Sequence, residues 1–177
     1  MALGHVSGLI TGSDFLDFAA ATLSRSPSPN EAERRRAVSG AYYGLFHTIT
    51  QAAASSVAAG HLALQRQISR VFNHSIAKQT CIEFAKLSPS RKEPLKSLLP
   101  TSIDPRLMLV ARYFPQVQDA RERADYDLQF PVTQSFAIER VRLAQDAAQA
   151  FFDVRHLPET TVFPTALLLG DRWNRRG

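Results

Sequence analysis

At 177 residues, with 45% apolar and 21% charged side chains, the chain has the make-up of one globular domain large enough to bury a real core. Its formal net charge of +5 suggests an anionic partner without establishing one. A single cysteine, Cys81, rules out a disulfide within the chain and fits a reducing compartment.

Residues 1–12 are glycine-rich and weakly patterned, and are expected to form a loose N-terminal arm. Thr11 or Ser13 can cap a first helix whose apolar side is Phe15, Leu16, Phe18, Ala19 and Leu23. It should stop at Ser24-Arg-Ser-Pro-Ser-Pro. Ser28-Pro29-Asn30-Glu31 then predicts a helix start, with Ser28 as cap, Pro29 in the first helical position and Glu31 closing a capping box. That second helix is expected to run to about Val57 and to end before Gly60.

Two faces are legible on it. Val38, Ala41, Tyr42, Leu45, Ile49 and Ala52 recur at three- and four-residue steps as an apolar stripe. Arg36, Gly40, Tyr43 and His47 recur at the same steps, rotated away, as a column of groups able to bind something. Gly40 and Gly44, one turn apart, predict a close approach by another helix, from this chain or a second subunit.

A third helix is expected over Leu62–Leu87, with a break or kink at Asn73-His74-Ser75. Cys81 falls in an apolar-flanked part of it and reads as a core residue. A proline-rich loop follows. A fourth helix begins after the Asp104 cap, and Pro115 should kink or split it. Its stripe (Leu107, Val110, Phe114, Val117) leads to Arg121, which should therefore point inward and needs a partner; Asp125, one turn on, is the nearest. A fifth helix runs from the Thr133 cap to near His156. The tail, 158–177, is too apolar around Leu167–Leu169 and Trp173 to be indifferent to water, and either docks or is disordered. No strand pattern, fixed-period repeat or apolar run of membrane-spanning length is evident, and the N-terminus lacks a signal-peptide pattern, so a cytoplasmic, membrane-free protein is expected.

The positive charge is concentrated. Between residues 61 and 100, Arg66, Arg70, Lys78, Lys86, Arg91, Lys92 and Lys96 face only Glu83 and Glu93, and the rest of the chain is neutral. The segment reads either as a solvated face or as a phosphate-facing patch, with Arg66 and Arg70 as candidate RNA contacts. Phosphate loops, dinucleotide-binding glycines, zinc-protease and serine-hydrolase motifs are absent, and no metal or cofactor site is expected. Two polar clusters remain: Tyr43 with His47, and Arg121 with Asp125 and Tyr126.

Ser39-Gly-Ala-Tyr-Tyr-Gly-Leu-Phe-His followed, about eighty residues on, by Arg121-Glu-Arg-Ala-Asp-Tyr-Asp resembles the two blocks of a prokaryotic branch of the HEPN domain family. The resemblance covers roughly residues 13–156. It implies an all-α, antiparallel up-and-down bundle, here of about five helices over 13–157, that homodimerises. Many such proteins are ribonucleases or toxin–antitoxin components, or work beside a nucleotidyltransferase. The family's catalytic signature places a histidine after an arginine with four to six residues between them. Here Tyr126, Asp127 and Leu128 stand in those places after Arg121, and Leu128, Gln129 and Phe130 after Arg123.

Three expectations follow. The first is a module that binds RNA, a nucleotide or a partner protein, with Arg121 on a phosphate, Asp125 orienting it, and Tyr43, His47 and Tyr126 lining the cleft. The second is a metal-independent ribonuclease in which His47 replaces the missing histidine. The third is a purely structural role, with Arg121–Asp125 as an internal brace.

Overall fold

The computed structural model describes residues 10–25, 27–86, 99 and 102–169. The described chain is all-α, with helices α1 (Gly12–Leu23), α2 (Glu31–Val57), α3 (Leu62–Arg70), α4 (His74–Lys86), α5 (Pro105–Tyr126), α6 (Gln134–Val154) and α7 (Pro158–Leu169). The seven helices replace the expected five for two reasons. The Leu62–Leu87 stretch is two helices, and part of the tail is a helix of its own. Most of the N-terminal arm, the stretch 87–98 with Arg91, Lys92 and Lys96, and the tail beyond Leu169 with Trp173 lie outside the described residues.

Local chemistry explains the boundaries. Thr11 is the N-cap of α1, and its N–H donates to the Asp14 carboxylate at 2.7 Å. The cap of α2 is Asn30, not Ser28. Asn30 Oδ1 accepts from the Glu33 N–H at 3.0 Å, and Glu33 accepts from the Asn30 N–H at 2.9 Å. Ser28–Glu31 has the same spacing, but the Glu31 carboxylate is taken instead by Arg35 at 2.8 Å and the Val132 N–H at 3.4 Å. Gly60, at φ +77°, supplies the left-handed turn between α2 and α3. Asn73 Oδ1 accepts from the Ile76 N–H and starts α4, so of the expected break or kink the chain makes a break. Helix α5 runs unsplit through Pro115.

α2 is the spine. It packs against α1, α3, α5, α6 and α7, while α4 packs on α5 and α7. Its stripe residues Val38, Ala41, Tyr42, Leu45 and Ile49 are buried, and so are Ala37, Phe46, Ala53 and Ala54 on other faces. Helices on several sides leave it little solvent-facing surface in its central turns. The two glycines face α1 of the same chain: a Cβ on Gly44 would sit 2.7 Å from Leu16 Cγ and 2.9 Å from the Gly12 carbonyl oxygen. Cys81 is buried, and burial pushes its thiol pKa well up, as for an inert core residue. In α7, Phe163 and Leu167 are buried, and the Phe163 ring meets Phe84 of α4 at 4.7 Å.

Two arginines at the start of α2 lock the loop that follows α5. Arg35 Nη1 donates to the carbonyls of Ala124 (2.9 Å) and Asp127 (3.0 Å), and Nη2 donates to that of Phe130 (2.5 Å) and to Glu31 (2.8 Å). Arg34 Nε donates to the Val132 carbonyl at 2.6 Å. A fixed cation at the carbonyl end of α5 also complements its dipole. The register of α5 against α2, and hence the placing of Arg121, is set here.

Candidate anion-binding site

The two polar clusters meet. Arg121 side-chain atoms are 17% exposed, and Nε lies 2.7 Å from Asp125 Oδ2. Nε nevertheless makes no directional hydrogen bond, so the pair is held by charge proximity instead. Nη2 donates to Tyr43 Oη at 2.9 Å and to Tyr126 Oη at 3.1 Å. The guanidinium also lies over the rings of Tyr126 (5.1 Å), Tyr43 (5.4 Å) and Tyr42 (5.9 Å). Ser39 donates to Asp125 Oδ2 at 3.3 Å, which ties the carboxylate back to α2. Burial works against the charge on Arg121, but Tyr43, Asp125 and Tyr126 outweigh it and hold its pKa above the ordinary value. Nη1 makes no hydrogen bond among the described residues and is the free arm of the guanidinium.

His47 is half-buried. Its ring stacks along Tyr43 (centroids 6.2 Å apart, 24° between planes) and is covered by Phe15 of α1 at 5.6 Å. No described group hydrogen-bonds its imidazole, and burial lowers its pKa. It is therefore a neutral imidazole at pH 7, next to the residue that holds Arg121.

In the sequence His74 is an interruption in a helix, with only three residues between it and Arg70, too few for the arginine–histidine signature. It stands at the first turn of α4 and joins the cluster: Tyr42 Oη and His74 Nδ1 are 2.5 Å apart, and the His74 ring packs on Phe46 at 4.3 Å and edge-on to Tyr43 at 6.3 Å. Burial, then the charges of Arg121 and His47, lower its pKa. Tyr42 is fully buried, and burial raises its pKa far above the ordinary phenol value. The only sequence signal for this pairing was a polar triplet between two apolar runs.

Several expected members stand elsewhere. Arg36 is exposed on α2 and makes no side-chain bond among the described residues, so the column of Arg36, Gly40, Tyr43 and His47 is not one working face. Only Tyr43 and His47 reach the cluster; Gly40 faces Phe15 and Ala19 of α1. Arg66 and Arg70 are exposed on α3, and Lys78 is engaged by Asp119. Among the described residues, no group of three or more His, Cys, Asp or Glu could hold a metal ion, and no helix is long and apolar enough to cross a membrane.

No family model, curated protein or solved structure matches the chain.

Proposed function

We propose that the chain is a HEPN-like module that binds RNA at the Arg121 cluster, as a homodimer and as one half of a toxin–antitoxin or nucleotidyltransferase-associated pair. One observation carries the RNA-binding part. A half-buried guanidinium is held on one side by Asp125 and the two phenols, and its Nη1 arm is left unbonded. An unspent donor on a guanidinium held in one orientation is available to a ligand oxygen as well as to water. Prepositioned and partly dehydrated, this one suits a phosphate oxygen. Tyr126, 72% exposed, offers a ring face on which a base can stack, and Arg66 and Arg70 add exposed positive charge on α3. The test is a filter-binding titration of single-stranded RNA at rising salt. Affinity should fall steeply with salt and be lost in Arg121→Ala; absence of binding at low salt would sink the proposal.

A second reading, a metal-independent ribonuclease, is favoured by one fact: two histidines with lowered pKa values lie against Tyr43, whose phenol accepts from Arg121. In it the neutral His47 takes the proton of a ribose 2′-hydroxyl as that oxygen attacks the adjacent phosphorus, and Arg121 steadies the charge on the phosphate. The bond to the 5′-oxygen breaks, a proton returns to that oxygen, and a 2′,3′-cyclic phosphate is left. Cleavage of total RNA in EDTA that disappears in both His47→Ala and Arg121→Ala supports it. Intact RNA counts against it.

A further inference from the structure

We infer that His74 is a second phosphate-binding residue of this site, fixed as an outward N–H donor by the buried Tyr42 phenol behind it. The inference rests on the proposal that Arg121 binds a phosphate.

The tautomer follows from the hydrogen bond. Tyr42 Oη is buried and makes no bond among the described residues except that with His74 Nδ1 at 2.5 Å. If Nδ1–H were the donor, the phenol O–H would be buried with no acceptor, at the cost of an unmade hydrogen bond. The phenol therefore donates, Nδ1 accepts, and the ring proton resides on Nε2. His74 is exposed overall and its Nδ1 edge faces the buried phenol, so the Nε2–H edge is the one left open. No described group accepts from it. Phe46 lies against the ring at 4.3 Å and keeps it from swinging.

The position matters as much as the proton. Arg121 and His74 both touch Tyr43, one through a hydrogen bond and the other edge-on at 6.3 Å, and the two are near enough for the arginine's charge to act on the imidazole. The unspent donors here are Arg121 Nη1, His74 Nε2–H and the hydroxyl protons of Tyr43 and Tyr126, whose oxygens already accept from Arg121; beside them the unbonded His47 imidazole offers one N–H and one acceptor nitrogen, and Asp125 Oδ1 is a further acceptor. Donors outnumber acceptors. A set of donors around a fixed positive charge suits an oxyanion with several acceptor oxygens, and not a cation or an amide. Tyr42 touches no ligand in this scheme. It is a positioning residue that acts through His74.

The test uses the full chain labelled with ¹⁵N. Long-range proton–nitrogen spectra, with the His74 signals assigned by their loss in His74→Ala, should show the Nε2–H tautomer. Inorganic phosphate, and then a short single-stranded RNA, should shift those signals. His74→Ala should bind that RNA roughly three- to tenfold more weakly, the worth of one hydrogen bond, whereas His74→Gln, which keeps an N–H near the Nε2 position, should recover most of the loss. Tyr42→Phe leaves the ring in place and should mix the two tautomers. His74 found as Nδ1–H, or His74→Ala binding at wild-type strength while Arg121→Ala has lost binding, overturns the inference and leaves the Arg121 proposal standing. Undiminished binding by Arg121→Ala, or no response of wild type to either probe, overturns both.

Discussion

Arg121 shows how one side chain is assembled from distant parts of the chain. Its i,i+4 partner Asp125 is a local feature, but the phenol of Tyr43 that takes its Nη2 lies 78 residues away. Replacing Arg121 by lysine keeps the charge and loses the fork, so RNA affinity should fall much as in Arg121→Ala, by about tenfold or more in a filter-binding assay. The two histidines make a separate prediction. The pKa of each is lowered on folding from an ordinary 6.5, so between that value and its folded pKa the unfolded chain binds more protons. Their contribution is complete above pH 6.5 and is lost as pH falls through the folded values. Thermal melts of wild type should therefore decline below about pH 6.5. The double variant His47→Phe with His74→Gln should show a flatter profile over that range.

Among the helices, the α1–α2 contact and the Arg34/Arg35 latch carry the most specific consequences. Gly40 and Gly44 look alike in the sequence, but their surroundings differ. A Cβ at Gly40 would meet ordinary contacts at 3.8 and 3.9 Å, whereas one at Gly44 would press on Leu16 and on the Gly12 backbone. Gly40→Ala should thus be neutral or gain up to about 1 kcal/mol from helix propensity. Gly44→Ala should lose about 1–3 kcal/mol in urea unfolding, because backbone cannot yield as a side-chain tip can. Arg35 is a second case. One guanidinium closes carbonyls from the end of α5 and its following loop, so Arg35→Ala should cost about 2–3 kcal/mol and loosen the Tyr126 end of the site. The run Arg34-Arg35-Arg36 gave no hint of this. Three adjacent arginines read alike, yet two face the α5–α6 loop and the third is exposed.

For the whole molecule, the core extends past the 13–157 stretch that the sequence marked out. α7, which packs on α2 and α4, places Phe163 against Phe84 and buries Leu167. Phe163→Ala should cost about 3–5 kcal/mol, read as a clear drop in the melting midpoint. Because α7 touches α4, whose first residue is His74, the same change should also weaken phosphate's effect on the His74 signals.

Fold class was legible because it depends on local periodicity and caps. The stripe from Val38 to Ile49 repeats every three or four residues, and Asp104, Thr133 and Thr11 mark helix starts through atoms only a few residues apart. The inward Arg121 and its partner Asp125 were legible for the same reason, since both lie on one turn. The cap of α2 was misjudged because Ser28 and Asn30 both suit that role, and which one is used depends on how Arg34 and Arg35 hold α2 to the chain around residue 130. Only tertiary structure brought His74 to Tyr42, 32 residues apart, and set both His47 and His74 against Tyr43, whose phenol accepts from Arg121. Periodicity tells which side of a helix faces inward. What that side meets there is fixed by packing between helices, which no local pattern encodes.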